Sequence, residues 1–199
     1  MDSKLFDLVA TRIDHIISQS PFPEDVFHSI NTLEWVLRLT PDADSALQVA
    51  ALGHDIERGF PDRRIHASNF KTYDEYKQAH ALNCARIFSE ILTECGVEQA
   101  FIDDAARLVA SHETGGDPRQ EMLKNADILS FFHVSLPLFN DRRGADITRK
   151  RCVWGFKKLP PELQDIVREM EYPDDDLKQL LDESIGISFR TENASRTED

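Results

Sequence analysis

The sequence predicts an all-α protein. Apolar residues recur every three to four positions along most of the 199 residues, which is the spacing of amphipathic helices. Prolines and glycines interrupt this pattern, and no segment alternates apolar and polar residues as a half-buried strand does. We therefore predict one helical domain over residues 1–185, followed by a mobile tail over residues 186–199.

Two helices are predicted before residue 40, with prolines between them. Pro21 and Pro23 end the first helix, and the acidic residues Glu24 and Asp25 open the second, which runs to about Leu39. The first helix has an apolar stripe made of Leu5, Val9, Ile13, Ile16 and Ile17.

The third helix is predicted to be central. Residues 41–44 form a turn with a candidate N-cap, and residues 46–52 are almost continuously apolar, as in a helix that is buried on most sides. Residues 59–71 contain Gly59, Pro61 and polar residues without a clear period. We predict a long loop there, of the kind that often carries substrate contacts.

Further helices follow that loop. Thr72 and Glu75 have the capping-box spacing at the start of a long helix that ends near residues 95–96. Another helix is predicted from about Glu98 to His112, and the turn at residues 115–118 separates it from the next one.

The last third of the chain is also predicted to be helical. A helix includes the apolar stretch of residues 128–132, and residues 140–144 form a turn. C-terminal helices cover residues 146–183, with breaks at Pro160-Pro161 and at Pro173.

Composition excludes several classes of partner. A net charge of −13 argues against binding a nucleic-acid polymer, which needs a basic surface. Charges throughout the first twenty residues argue against a signal peptide and a membrane span. Cys84, Cys95 and Cys152 show no CxxC spacing, so we predict buried free thiols and a cytoplasmic protein. A homo-oligomer is possible.

Four histidines and two aspartates stand out as candidate metal ligands. Each lies in a segment that is predicted to be helical, and His54 and Asp55 are adjacent. Imidazole nitrogen and carboxylate oxygen suit borderline divalent cations. Six ligands are more than one metal usually needs with an open position, which suggests two metal ions. The candidates are His28, His54, Asp55, His80, His112 and Asp127.

The order His…His-Asp…His…His…Asp over residues 24–135 resembles the two-metal form of the HD superfamily. The resemblance implies an HD-type helical bundle in which Asp55 bridges two metals. It implies that one metal is completed by His28, His54 and Asp127, and the other is served by His80 and His112. Without His80 and His112, a mononuclear site remains. The ligands do not distinguish iron, manganese, cobalt, nickel and zinc.

Basic residues near these ligands are candidates for substrate contacts. Arg58 lies three residues after Asp55, and a guanidinium suits phosphate, although HD relatives carry Lys, His or Glu there. Lys124, one turn before Asp127, is a second candidate. We assign catalytic roles to Asp55, Arg58 and Lys124. Arg63 and Arg64 are weaker candidates.

Several neighbouring residues allow two interpretations. Glu57 could hydrogen-bond a ligating histidine, or it could lie on a solvated helix face, and Glu113 has the same ambiguity. Tyr73 and Tyr76 could line a pocket near His80. The basic cluster at residues 149–151 could bind a phosphate tail, but we expect it on an exposed helix face.

Three functions fit these residues. The resemblance implies a metal-dependent phosphohydrolase that acts on a small anionic substrate, a phosphate ester or nucleotide, through a metal-bound hydroxide. The alternative is a mixed-valent diiron HD-domain oxygenase that cleaves a C–C or C–P bond with O₂. Against it, Asp127 follows His112 closely, and Arg58 replaces the Lys or His of those oxygenases. A non-catalytic module with structural metals is the third.

Overall fold

The computed structural model describes the backbone of residues 1–196 and the side chains of residues 1–186. Within that part of the chain there are ten α-helices and no strand, which confirms the all-α prediction. The helices are α1 (Ser3–Ile17), α2 (Glu24–Leu39), α3 (Ser45–Gly53), α4 (Tyr73–Glu94), α5 (Gln99–Ala110), α6 (Pro118–Ser130), α7 (Leu136–Arg143), α8 (Ala145–Lys158), α9 (Pro161–Glu169) and α10 (Asp175–Arg196). No described helix is long and apolar enough to cross a membrane.

The chain divides into two compact units, Met1–Asp127 and Ile128–Asp199. In the first unit α3 is central, as its apolar sequence predicts, and it contacts α1, α2 and α5. Val49, Ala50 and Ala51 have no exposed surface. Gly53, the last residue of α3, lies against the ring of Phe88 on α4. A Cβ at this position would be 2.6 Å from Phe88 Cδ2, so only glycine fits without a shift.

Side-chain caps begin the helices that lead to the candidate ligands. Asp44 Oδ1 accepts hydrogen bonds from the backbone amides of Ala46 and Leu47, both at 3.0 Å, at the start of α3. The predicted capping box of α4 is confirmed. The Glu75 amide donates to Thr72 Oγ1 at 3.1 Å, and the Thr72 amide donates to Glu75 Oε2 at 3.2 Å.

Helix boundaries differ from the prediction beside the candidate ligands. α3 ends at Gly53, so His54 and Asp55 lie in a turn that leads into a 3₁₀ helix, Ile56–Gly59. α5 ends at Ala110, two residues before His112, because the chain tightens into 3₁₀-type bonds such as His112 N to Val109 O at 3.3 Å. The predicted loop at 59–71 contains short 3₁₀ helices at Pro61–Arg63 and Ala67–Asn69.

The second unit contains the predicted C-terminal helices. α8 packs against α7 and α10, and the Tyr172 hydroxyl donates to the carbonyl of Phe132 at 2.6 Å. The helical backbone of α10 continues to Arg196, through most of the segment predicted as a tail. The side chains of residues 187–199 and all of residues 197–199 lie outside the described residues. The tail over 186–199 and the single domain over 1–185 therefore stay predictions.

Two predictions about burial were wrong. Cys84 and Cys152 are buried free thiols as expected, but Cys95 is half-buried. In the basic cluster of residues 149–151, Arg151 is buried instead of exposed. Its guanidinium carbon lies 4.2 Å from the ring centre of Phe131 and 4.6 Å from that of Trp154, so it stacks between aromatic faces.

Candidate metal centre

The turn after α3 places His54 inside the first unit. His54 Nδ1 donates to the carbonyl oxygen of Ala51 at 2.9 Å. A carbonyl oxygen only accepts, so the proton of the neutral ring is on Nδ1 and the lone pair is on Nε2. His112 is held in the same way, since its Nδ1 donates to the carbonyl of Val109 at 2.7 Å.

One group of candidate donors consists of His28, His54 and Asp127. His28 Nε2 is 2.9 Å from Asp127 Oδ1 and 3.1 Å from His54 Nε2, and His54 Nε2 is 3.6 Å from Asp127 Oδ1. All three side chains are buried. They come from α2, the turn after α3 and α6, so only tertiary packing brings them together.

A second group consists of His80 on α4 and His112 after α5. His80 Nε2 is 2.7 Å from Asp55 Oδ1, and His112 Nε2 is 3.9 Å from the same oxygen. His112 Nε2 is also 3.3 Å from Glu113 Oε1. It is buried, and because the proton of the neutral ring is on Nδ1, its lone pair is available to a cation.

Asp55 lies between the two groups. Its Oδ1 faces His80 and His112, whereas its Oδ2 is 3.9 Å from both His28 Nε2 and His54 Nε2. Each oxygen of one carboxylate therefore faces a different pair of imidazoles. A carboxylate placed in this way is suited to binding two cations at once.

Hydrogen bonds behind His80 fix the orientation of its ring. Glu57 Oε1 accepts from His80 Nδ1 at 2.6 Å, and Glu57 Oε2 accepts from Asn83 Nδ2 at 2.5 Å. Glu57 has no exposed surface. Of the two interpretations of Glu57, the structure has the hydrogen bond with a candidate ligand and not the solvated helix face, and this bond holds Nε2 toward Asp55.

The cluster carries a surplus of negative charge. Contacts among the candidate donors and their charged neighbours join five carboxylates and two cations into one cluster. With neutral imidazoles, this cluster has a net charge of −3. The carboxylates are Asp25, Asp55, Glu57, Glu113 and Asp127, and the cations are Arg58 and Lys77. A buried surplus of this size is costly without a bound cation or proton.

Charged neighbours keep the aspartates ionised despite their burial. Burial raises the pKa of Asp55, but Arg58 and His54 outweigh this effect and hold the pKa well below its usual value. The pKa of Asp127 is also lowered against burial by its contacts with the imidazoles of His28 and His54, and His54 has this effect only in its protonated form. The charged form that a metal needs is therefore the stable one.

The donor set and its spacing fit a metal ion. A cation about 2.1 Å from each donor would place neighbouring donors roughly 3.0–3.4 Å apart, for octahedral and tetrahedral geometry respectively. The first group spans 2.9–3.6 Å. Buried groups of His, Asp, Glu and Cys side chains that could hold metal ions are thus a feature of this chain.

Comparison with known proteins assigns the chain to a family. A family model described as a domain of unknown function, DUF4202, matches residues 9–181. The chain belongs to the DUF4202 family. No curated protein and no solved structure matches it. All six predicted ligands lie within the matched DUF4202 range, and the resemblance to the HD superfamily stays a prediction.

The predicted basic residues of this DUF4202 chain have different environments. Arg58 Nε is 2.7 Å from Asp55 Oδ2, and its Nη1 is 3.4 Å from Asp25 Oδ1, so Arg58 lies at the cluster. It reaches Asp55 from the 3₁₀ helix Ile56–Gly59 and not from an α-helix.

The other predicted cations do not join the cluster. Lys124 Nζ is 2.5 Å from Glu121 Oε2, and no contact among the described residues links Lys124 to the donors. Arg63 pairs with Glu90 at 2.5 Å. Arg64 stacks on the ring of Phe22 at 4.9 Å from the ring centre. Substrate-binding roles for these side chains stay predictions.

Two residues beside the donors of the DUF4202 domain were missed as site residues. Lys77, three residues before His80 on α4, is buried and forms an ion pair with Glu113. The i, i+3 spacing to His80 was the available signal. Cys84 Sγ lies 3.7 Å from His80 Nδ1 and forms a possible donor group with Asp55 and His80.

The Lys77–Glu113 pair is charged on both sides. Burial raises the pKa of Glu113, but Lys77 and His112 lower it to about 2. Burial lowers the pKa of Lys77, but the Glu113 carboxylate outweighs burial and raises it above its usual value. The ring centre of Tyr76 is 6.1 Å from that of His80, and the ring centre of Tyr73 is 5.8 Å from that of Tyr76.

Proposed function

We propose that this DUF4202 protein is a metal-dependent phosphohydrolase that acts on a small phosphate ester or nucleotide. One observation carries the proposal: the two oxygens of Asp55 face two separate pairs of imidazoles. Two divalent cations a few ångströms apart suit in-line phosphoryl transfer, because they stabilise both the attacking and the leaving oxygen. The order of the ligands along the chain, which resembles the HD superfamily, supports the same chemistry.

Burial of the donors restricts the substrate. None of the six predicted ligands is more than 6 % exposed, so a long polymer backbone has little access to them. With neutral imidazoles, the cluster has a net charge of −3 that would repel a phosphate before cations bind. A small ester that binds after the cations is the substrate that fits both conditions.

Bound cations would supply Lewis acidity and lower the pKa of water, so no protein nucleophile is required. The chain's own residues hold this arrangement. Asp55 ties the two imidazole pairs together, and Glu57 keeps His80 Nε2 pointed at Asp55. Arg58 shares its guanidinium between Asp55 and Asp25 and limits movement of the Asp55 carboxylate. Arg58 cannot act as a base, because a guanidinium stays protonated.

Phosphate release from a panel of nucleotides and small phosphate esters, with added Mn²⁺ or Co²⁺, tests the proposal. We expect release that requires metal, about two ions per chain by elemental analysis, and loss of release in His54→Ala and Asp55→Asn. His15→Ala is the matched control, because His15 is an exposed histidine on α1 outside the cluster. Far-UV circular dichroism checks that every variant remains helical.

Release that survives chelation, or survives in folded His54→Ala, would contradict the proposal. If no compound in the panel releases phosphate and the reduced iron-loaded protein shows substrate-dependent O₂ consumption, the result would favour the diiron oxygenase. Metal removal that changes only thermal stability, with no turnover on any substrate, would favour a structural role for the metals.

A further inference from the structure

Lys77 and Arg58, the two cations of the cluster, have different kinds of carboxylate partner. Its ammonium contacts Glu113 Oε1, and both side chains are buried, at 6 % and 3 % exposed. Glu113 Oε1 in turn lies 3.3 Å from His112 Nε2. Glu113, His80 and His112 together form one of the groups that could hold a metal ion. The counter-ion of Lys77 is therefore itself a candidate metal ligand.

Arg58, in contrast to Lys77, has a carboxylate partner that is not a candidate metal ligand. Its guanidinium divides between Asp55 and Asp25, and Asp25 belongs to none of the donor groups. The Ser20 hydroxyl also donates to Asp25 at 2.5 Å, which keeps that carboxylate in place. A cation that binds the donors leaves the Arg58–Asp25 pair intact, so Arg58 stays neutralised by a carboxylate.

A metal ion changes the balance at Glu113. A divalent cation held by His80 and His112 attracts the Glu113 carboxylate with twice the charge of one ammonium group at equal distance. The Glu113 carboxylate is then drawn toward the metal. The Lys77 ammonium loses part of the negative charge that neutralises it. The ammonium, on a flexible four-carbon stem, can turn toward a new anion without a change in the backbone.

We propose that metal loading converts Lys77 from the counter-ion of Glu113 into a binding residue for the phosphoryl oxygens of the substrate. This inference rests on the proposed function and assigns a phosphate subsite to the side of the cluster formed by α4. Lysine binds phosphate as a compact point charge. With neutral imidazoles, two divalent cations would change the net charge of the cluster from −3 to +1, which suits a dianionic terminal phosphate of a monoester.

Orthophosphate binding to the full-length chain tests the inference without turnover. We would measure the Kd for orthophosphate by calorimetry, with and without Mn²⁺, and count Mn²⁺ per chain by elemental analysis. Lys77→Met should retain the metal and weaken orthophosphate binding roughly ten- to hundredfold, the usual cost of a lost charge-assisted hydrogen bond. Lys77→Arg keeps the charge and should recover most of the affinity.

Two further variants separate a binding role from a structural one. Lys178→Met removes a half-buried lysine in the second unit whose Nζ is 2.9 Å from both Asp182 Oδ1 and the carbonyl oxygen of Arg168, and it should bind orthophosphate like the wild type. Lys77→Met leaves Glu113 buried without this partner, so the protein could lose stability. The double variant Lys77→Met/Glu113→Gln removes both charges, and we expect it to fold and to show the same weak phosphate binding.

A folded variant without charge at position 77 that binds orthophosphate within about twofold of the wild type would overturn the inference. Equal orthophosphate affinity of the metal-free and Mn²⁺-loaded wild type would also overturn it, because the subsite should form only with metal. If the wild type releases phosphate from esters while Lys77→Met binds normally, only the Lys77 assignment fails. If the loaded wild type neither binds orthophosphate nor hydrolyses any ester, the proposed function fails as well.

Discussion

Replacing Gly53 with alanine should destabilise the protein, although alanine is the better helix former. Gly53 ends α3 immediately before His54, and its Cα faces the ring of Phe88. An added Cβ would lie 2.6 Å from Phe88 Cδ2 and 3.4 Å from Ile13 Cδ1. Carbon atoms pack best at about 3.5–4.0 Å, so the ring or the helix end must move by about 1 Å. Phe88 has no exposed surface, and its ring cannot turn outward.

The size of the effect follows from two opposing contributions. Overpacking of a well-packed core typically costs about 1–3 kcal/mol. Replacing glycine with alanine within a helix raises the free energy of unfolding by about 1 kcal/mol. Gly186 in α10 provides the matched control, because a Cβ there meets no atom within 4 Å in the described part of the chain. The difference between Gly53→Ala and Gly186→Ala therefore isolates the steric cost, about 1–3 kcal/mol.

Urea unfolding of the metal-free protein, followed by circular dichroism, measures this difference. With a urea dependence of about 2 kcal/mol/M, the midpoint of Gly53→Ala should lie roughly 0.5–1.5 M below that of Gly186→Ala. Equal midpoints would refute the close approach of α3 and α4 at Phe88. Because the shift also displaces His54, Gly53→Ala should bind Mn²⁺ more weakly than Gly186→Ala does.

Three smaller predictions concern caps and thiols. Asp44→Ala should cost about 1 kcal/mol in urea unfolding because α3 loses its N-cap, whereas Asp42→Ala, at an exposed neighbour, should cost almost nothing. In the folded protein a thiol reagent should modify Cys95 first, with Cys84 and Cys152 reacting only on unfolding; equal rates for all three would contradict their burial. Burial raises the pKa of Cys152 from 9.0 to about 12, so its contribution to stability is complete below pH 9 and is lost as pH rises toward 12, by up to about 1.4 kcal/mol per pH unit. In Cys152→Ala, the free energy of unfolding from urea titrations at pH 8–11 should fall less steeply with pH than in the wild type. An unchanged pH dependence would refute this prediction.

Local sequence determined the helices and the identity of the candidate donors. The capping box of Thr72 and Glu75 is a contact within four residues, so its sequence spacing was enough to predict it. The apolar residues around His54 and Asp55 required these polar side chains to be paired or bound inside the protein, which singled them out. Helix ends were predicted less well, since the turn that holds His54 depends on a bond to the carbonyl of Ala51 that no spacing reveals.

Tertiary structure alone decided which lysine accompanies the donors. Lys77 and Lys124 have the same local spacing, three residues before His80 and Asp127 respectively. α4 packs against α5, whose following turn carries Glu113, and Lys77 therefore has a partner beside the metal ligands. Lys124 instead pairs with Glu121 within its own helix. Spacing describes one helix face, whereas the partner of a buried charge depends on which other segment packs against that face.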